Sequence, residues 1–127
     1  MVVGGARVVM IVEDDDGIRE SLAELLESWE LRPLEVRDGE DALRVLRDGC
    51  RPEVIFLDLK MCGLSGWEFR REQMKDPCLK EIPVVIMTAL SIPEGSARAE
   101  VGDVTWLRKP FSPEELRVAL AAVDEKG

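Results

Sequence analysis

Histidine is absent from the chain. That excludes any Ser-His-Asp or Cys-His catalytic unit and makes a zinc site improbable. Cysteine is scarce. Cys50, Cys62 and Cys78 are an odd number at wide spacing, so no disulfide framework is expected, and unpaired thiols fit a reducing compartment. Long apolar runs are missing too, and nothing approaches the ~20 residues of a membrane span. The opening segment "MVVGGARVVMIVEDD" lacks the charged start and cleavable apolar stretch of a signal peptide. The expectation is a soluble, cytoplasmic protein with no membrane partner. Basic charge is in deficit: 17 Lys and Arg against 26 Asp and Glu, a net charge of −9. A nucleic-acid surface needs a basic footprint, so no nucleic-acid binding is expected, whereas a cation or a basic protein partner suits the balance. No glycine-rich phosphate cradle follows the first apolar run. It gives way instead to "EDDDGI", whose four carboxylates would repel a pyrophosphate.

What is present suits one compact domain over residues 1–127, with a core of about residues 6–123. Hydrophobic residues make up 46% of the chain, and no repeat, linker or low-complexity tract interrupts it. Short apolar runs alternate with amphipathic stretches. Arg7 to Val12 reads as a buried strand. Ile18, Leu22, Leu25, Leu26 and Trp29 then fall on one helical face, with Asp15 or Asp16 as the cap. Leu34 to Val36 is a weak strand after Pro33, and Gly39 to Arg47 a helix ending near Gly49. Glu53 to Asp58 is a strand, Trp67 to Met74 lies in a helix, and Pro83 to Ala89 and Val104 to Lys109 are strands. A last helix starts at Ser112–Pro113 and places Leu116, Leu120 and Val123 on one face. Between the last two strands, Pro93, Gly95 and Gly102 predict a short or irregular helix.

Alternating strands and helices predict an α/β fold with a parallel sheet covered on both faces, doubly wound through right-handed crossovers. Functional residues of such sheets lie just beyond the carboxyl ends of the strands. Four runs end in a polar residue there: Glu13–Asp14, Asp58, Thr88 and Lys109. Three carboxylates, a hydroxyl and an ammonium would then share one edge. Hard oxygen ligands favour magnesium or a similar ion. An amine and a hydroxyl facing it supply charge and hydrogen bonds to a transferring phosphoryl group, and one carboxylate can act as nucleophile and form an acyl phosphate.

Taken singly, each feature has a plainer explanation. Acidic runs are ordinarily solvated, and Asp15 and Asp16 fit that as helix-start residues. Asp58 alone reads as a turn residue, Thr88 as an ordinary strand residue and Lys109 as a surface lysine. Trp106 alone reads as edge packing. Their coincidence at four strand ends is what singles them out.

The motifs "VEDD", "FLDLKMCGLSG", "VVIMTA" and "WLRKPF", in this order, resemble the receiver domain of bacterial two-component response regulators. The resemblance spans about Ala6 to Val123. It implies a flavodoxin-like (βα)5 fold with strand order 2-1-3-4-5, which puts Asp58 on the central strand. It further implies a Mg2+- or Mn2+-dependent phosphoryl acceptor that takes phosphate from a histidine kinase or phosphotransfer protein and then switches an unknown output protein or domain. By the resemblance, Asp58 is the phosphorylated aspartate. Asp14 is a direct metal ligand, Glu13 acts mainly through water, and the backbone carbonyl of Lys60 completes the metal shell. Thr88 is the hydroxyl that moves towards the phosphoryl group, with Trp106 changing rotamer alongside it. Lys109 pairs with the acid at rest and with the phosphate when active, and the Lys109–Pro110 bond is cis.

Two departures bear on expectation. Cys62 replaces the family's usual proline, which loosens the loop after Asp58. The resemblance implies that Lys60 and Leu90, two residues after Thr88, tune hydrolysis of the acyl phosphate, and a bulky apolar Leu90 would shield it from water and favour slow phosphate loss. The competing classes fit less well. A haloacid-dehalogenase-like phosphatase needs an acid two residues after the nucleophile, where this chain has Lys60. A receiver-like scaffold that no longer takes phosphate would lack one of the acids or the lysine. The expected activity is that of a signalling switch catalysing its own aspartyl phosphorylation and dephosphorylation, not of a turnover enzyme.

Overall fold

The computed structural model describes residues 7–61, 63–89, 95 and 102–126. Cys62, Leu90 and almost all of the segment from Pro93 to Gly102 lie outside the described residues, so the expectations placed on them stay as expectations.

The described residues include five strands: β1 Val8–Val12, β2 Arg32–Val36, β3 Val54–Asp58, β4 Val84–Thr88 and β5 Thr105–Arg108. Four helices are described: α1 Asp16–Ser28, α2 Gly39–Arg47, α3 Gly66–Lys75 and, after β5, α4 Pro113–Lys126. All pairings are parallel and the order is β2-β1-β3-β4-β5, as expected. The order reverses between β1 and β3, so their carboxyl ends flank the crevice where α/β sheets place ligands.

Successive side chains of a strand point to opposite faces, and here both faces are covered. Met10, Val12, Ile55, Leu57 and Ile86 pack on Leu43 and Leu46 of α2 and Phe69 of α3. Val9, Ile11, Phe56, Val85 and Met87 pack on Leu22 and Leu26 of α1 and Leu116 of α4. This double coverage is why the three central strands read as unbroken apolar runs. The edge strand β2 reads poorly for the complementary reason: it is only partly buried, and Pro33, opposite Val9, is tolerated because an edge strand has one side without a ladder partner.

Helix ends follow their capping chemistry. Asp15 Oδ1 accepts from the Ile18 amide at 2.9 Å, so Asp15 rather than Asp16 caps α1. Ser65 and Glu68 form a reciprocal capping box on α3. The end of α1 is a Schellman turn, with Glu30 N donating to Glu27 O at 2.9 Å and Leu31 N to Leu26 O at 3.0 Å. Glu30 occupies the left-handed position there, with φ 65°, where glycine is the usual residue. The expected apolar face of α1 is corrected at Ile18, which is 38% exposed. Arg19 is buried in its place.

Candidate functional site

The strand register builds the site stepwise. Val12 is opposite Leu57, so Glu13 and Asp58 emerge side by side one residue later. Asp58 is opposite Met87, and Thr88 is opposite Arg108. Thr88 and Lys109 therefore follow in diagonal sequence, with the Lys109 amide donating to Thr88 O at 2.7 Å. The sheet alone brings together residues up to 96 positions apart in the chain.

Glu13, Asp58 and Thr88 are buried, at 1%, 6% and 2% exposure. Carboxylate oxygens of Glu13, Asp14 and Asp58 lie within 4.8 Å of one another. Lys109 Nζ donates to Glu13 Oε1 at 2.5 Å and stands 3.5 Å from Asp58 Oδ2. Glu13 Oε2 accepts from the Asp15 amide at 3.1 Å. Lys109 thus pairs with both acids, and its shorter bond goes to Glu13. Lys60 itself is exposed, and its amide donates to Asp58 Oδ1 at 3.4 Å. The Lys109–Pro110 peptide is cis. Trp106 is partly buried against the α2/α3 side of the sheet.

The Asp58 carboxyl is raised to about 6: burial is the largest cause, the Lys109 ammonium opposes it, the Glu13 charge and hydrogen bond add to the rise, and the hydrogen bond from the Lys60 amide works against it. Like charges crowded out of water oppose ionisation. With Asp58 ionised, three carboxylates face one ammonium, an excess of negative charge lined by hard oxygen donors. That donor chemistry fits a magnesium-like cation.

Two residues that shape this edge were not singled out from the sequence. Gly66 begins α3, and a Cβ there would lie 2.6 Å from Asp58 O and 2.7 Å from Leu59 Cα. In the sequence it stands as the last residue of the motif "FLDLKMCGLSG", beside a helix cap, with no sign of its close approach to Asp58. Arg19 contacts the strand end carrying the acids, with Nη1 donating to Glu13 O at 2.9 Å. A single arginine on a helix carries no signal of burial.

The chain matches the response regulator receiver domain over residues 9–121. It is 35% identical over 119 residues to the phosphate regulon transcriptional regulatory protein PhoB of Escherichia coli, covering 93% of this chain and 52% of that protein. The chain thus spans about half the length of the curated relatives it matches. Among solved structures it resembles the chemotaxis protein CheY4 of Vibrio cholerae, with 29% identity, a TM-score of 0.84 and coverage of 93% of this chain and 98% of that one. It also resembles the signal receiver domain of a signal transduction histidine kinase from Syntrophus aciditrophicus, with 30% identity, a TM-score of 0.84 and coverage of 95% and 92%. With the strand order, the acidic edge and these matches in agreement, the chain belongs to the receiver domains of two-component response regulators.

Proposed function

We propose that residues 1–127 act as a single receiver domain in which Asp58 accepts a phosphoryl group from a histidine kinase or phosphotransfer protein in the cytoplasm. The observation that carries this reading is the meeting of Glu13, Asp14, Asp58 and Lys109 at one sheet edge.

Glu13, Asp14, Asp58 and the backbone carbonyl of Lys60 are the groups we assign to a Mg2+ or Mn2+ ion. When bound, that ion supplies positive charge to the oxygens of the transferring phosphoryl group. The chain's own residues do the rest. Asp58, raised to about 6, is mostly ionised at neutral pH and so presents a carboxylate nucleophile. Its oxygen attacks phosphorus, the phosphorus–nitrogen bond of the donor phosphohistidine breaks, and the imidazole keeps the electron pair. The acyl phosphate ends when water attacks phosphorus and the carboxylate leaves. Burial of Glu13, Asp58 and Thr88 limits the approach of that water.

Lys109 bridges Glu13 and Asp58 in the structure, so its ammonium is placed to follow new negative charge on Asp58. Thr88, one residue past the partner of Asp58, is assigned the hydroxyl that donates to a phosphoryl oxygen. Trp106 on the neighbouring strand is assigned the linked rotamer change. The output partner contacts whichever surface these movements alter. The test is uptake of one phosphoryl group per chain from a small acyl phosphate with Mg2+, without continuing turnover of a generic phosphate ester. Many turnovers per chain on the ester would replace the switch with a phosphohydrolase.

A further inference from the structure

Arg19 is a charged helix residue only 7% exposed, although arginine is rarely buried without partners. Its guanidinium makes three bonds, to the residue after β1, to β2 and within α1. Nη1 donates to the backbone carbonyl of Glu13 at 2.9 Å, Nε to Glu35 Oε1 on β2 at 3.2 Å, and Nη2 to Asp16 Oδ1 in the first turn of α1 at 2.6 Å. The Glu13 amide meanwhile donates to Val36 O at 3.1 Å. Both backbone polar groups of Glu13 are therefore tied down.

The Glu13 carbonyl and the Asp14 N–H belong to one rigid peptide plane. Holding that carbonyl restrains the plane, and with it the Cα of Asp14 from which the Asp14 side chain departs. The charge of Arg19 is already offset by Asp16 and Glu35, so the effect on the acidic edge is one of geometry. A planar fork with several fixed donors meets three acceptors at once; a lysine ammonium on a flexible stem does not.

We propose that Arg19 is a positioning residue for cation binding: it orients the Glu13–Asp14 peptide so that both acids converge on Asp58. This rests on the reading of Glu13, Asp14 and Asp58 as the cation site. Groups that orient metal ligands through a hydrogen bond typically change affinity by about 10–100-fold when removed.

The test is calorimetric titration of MgCl2 into the unphosphorylated full chain, alongside urea unfolding in chelator. Arg19→Lys and Arg19→Met should both weaken Mg2+ binding about ten-fold or more. Leu26→Ala, which loosens the same helix at a buried apolar position, should leave the dissociation constant within about two-fold. Failure of Arg19→Lys to rescue separates geometry from charge. If the wild type binds no Mg2+, the cation-site reading itself falls. If the wild type binds and both Arg19 variants bind equally tightly, or if Leu26→Ala weakens binding as much as they do, Arg19 has no positioning role. Should neither Arg19 variant fold, Glu35→Gln decides: weaker Mg2+ binding at unchanged stability supports the proposal, and an unchanged constant overturns it.

Discussion

Lys109 and Glu13 form a largely buried ion pair between residues 96 positions apart, with Nζ 2.5 Å from Oε1 and side-chain exposures of 14% and 1%. Removing one member leaves the other charged and buried, which commonly costs about 3–5 kcal/mol. Lys109→Met is expected to lower stability by about that amount in metal-free buffer near neutral pH, measured by urea unfolding. The double variant Glu13→Gln/Lys109→Met should recover at least half of the loss. Equal losses in the single and double variants would mean that the pair is not what holds the two strand ends.

Asp58 gives a pH prediction of definite sign. Its folded pKa is raised to about 6 from 3.8, first by burial, so between these values the folded state binds more protons than the unfolded one. Its contribution is therefore fully favourable below about pH 4 and is lost as pH rises through about 6. Asp58→Asn removes this penalty. The variant should gain stability relative to the wild type as metal-free buffer moves from pH 4.5 to 7.5, by about 1–3 kcal/mol. A constant difference across that range would show that Asp58 does not titrate as described.

Gly66 lies so close to the chain after β3 that a methyl group meets backbone at 2.6 Å and 2.7 Å. Backbone cannot swing aside as a flexible side chain can. Gly66→Ala should cost about 2–4 kcal/mol, although alanine is the better helix former. A neutral or stabilising result would show that α3 can shift without disturbing Asp58.

Glu30 points the other way. It holds a left-handed conformation, with φ 65°, that glycine adopts without strain. Glu30→Gly is expected to stabilise the chain by about 1 kcal/mol, read as a rise in the urea midpoint with no change in Mg2+ affinity. A lower midpoint would contradict the strain assigned to this turn.

Much of this was legible in the sequence, because the signals were of the kind that burial imposes. The runs before Glu13, Asp58 and Thr88 are continuous because both sheet faces are covered, and the polar residues stand out against them. Other features carry no such contrast. Pro33 disguised the start of β2, since only its place at the sheet edge makes it acceptable. Arg19 reads like any solvated helix residue until Glu35 and the Glu13 carbonyl are brought to it by the fold. The preference of Lys109 for Glu13 over Asp58 depends on side-chain placement that no motif encodes. Gly66 is defined by a contact with chain seven and eight residues earlier, which spacing does not reveal.

The most direct measurement is intact-mass spectrometry after incubation with a small acyl phosphate, with and without Mg2+, on the wild type and Asp58→Asn. The expected result is one added phosphoryl group on the wild type only when Mg2+ is present, and none on Asp58→Asn. Stoichiometric labelling of Asp58→Asn, or no labelling of the wild type with Mg2+ present, would contradict Asp58 as the acceptor.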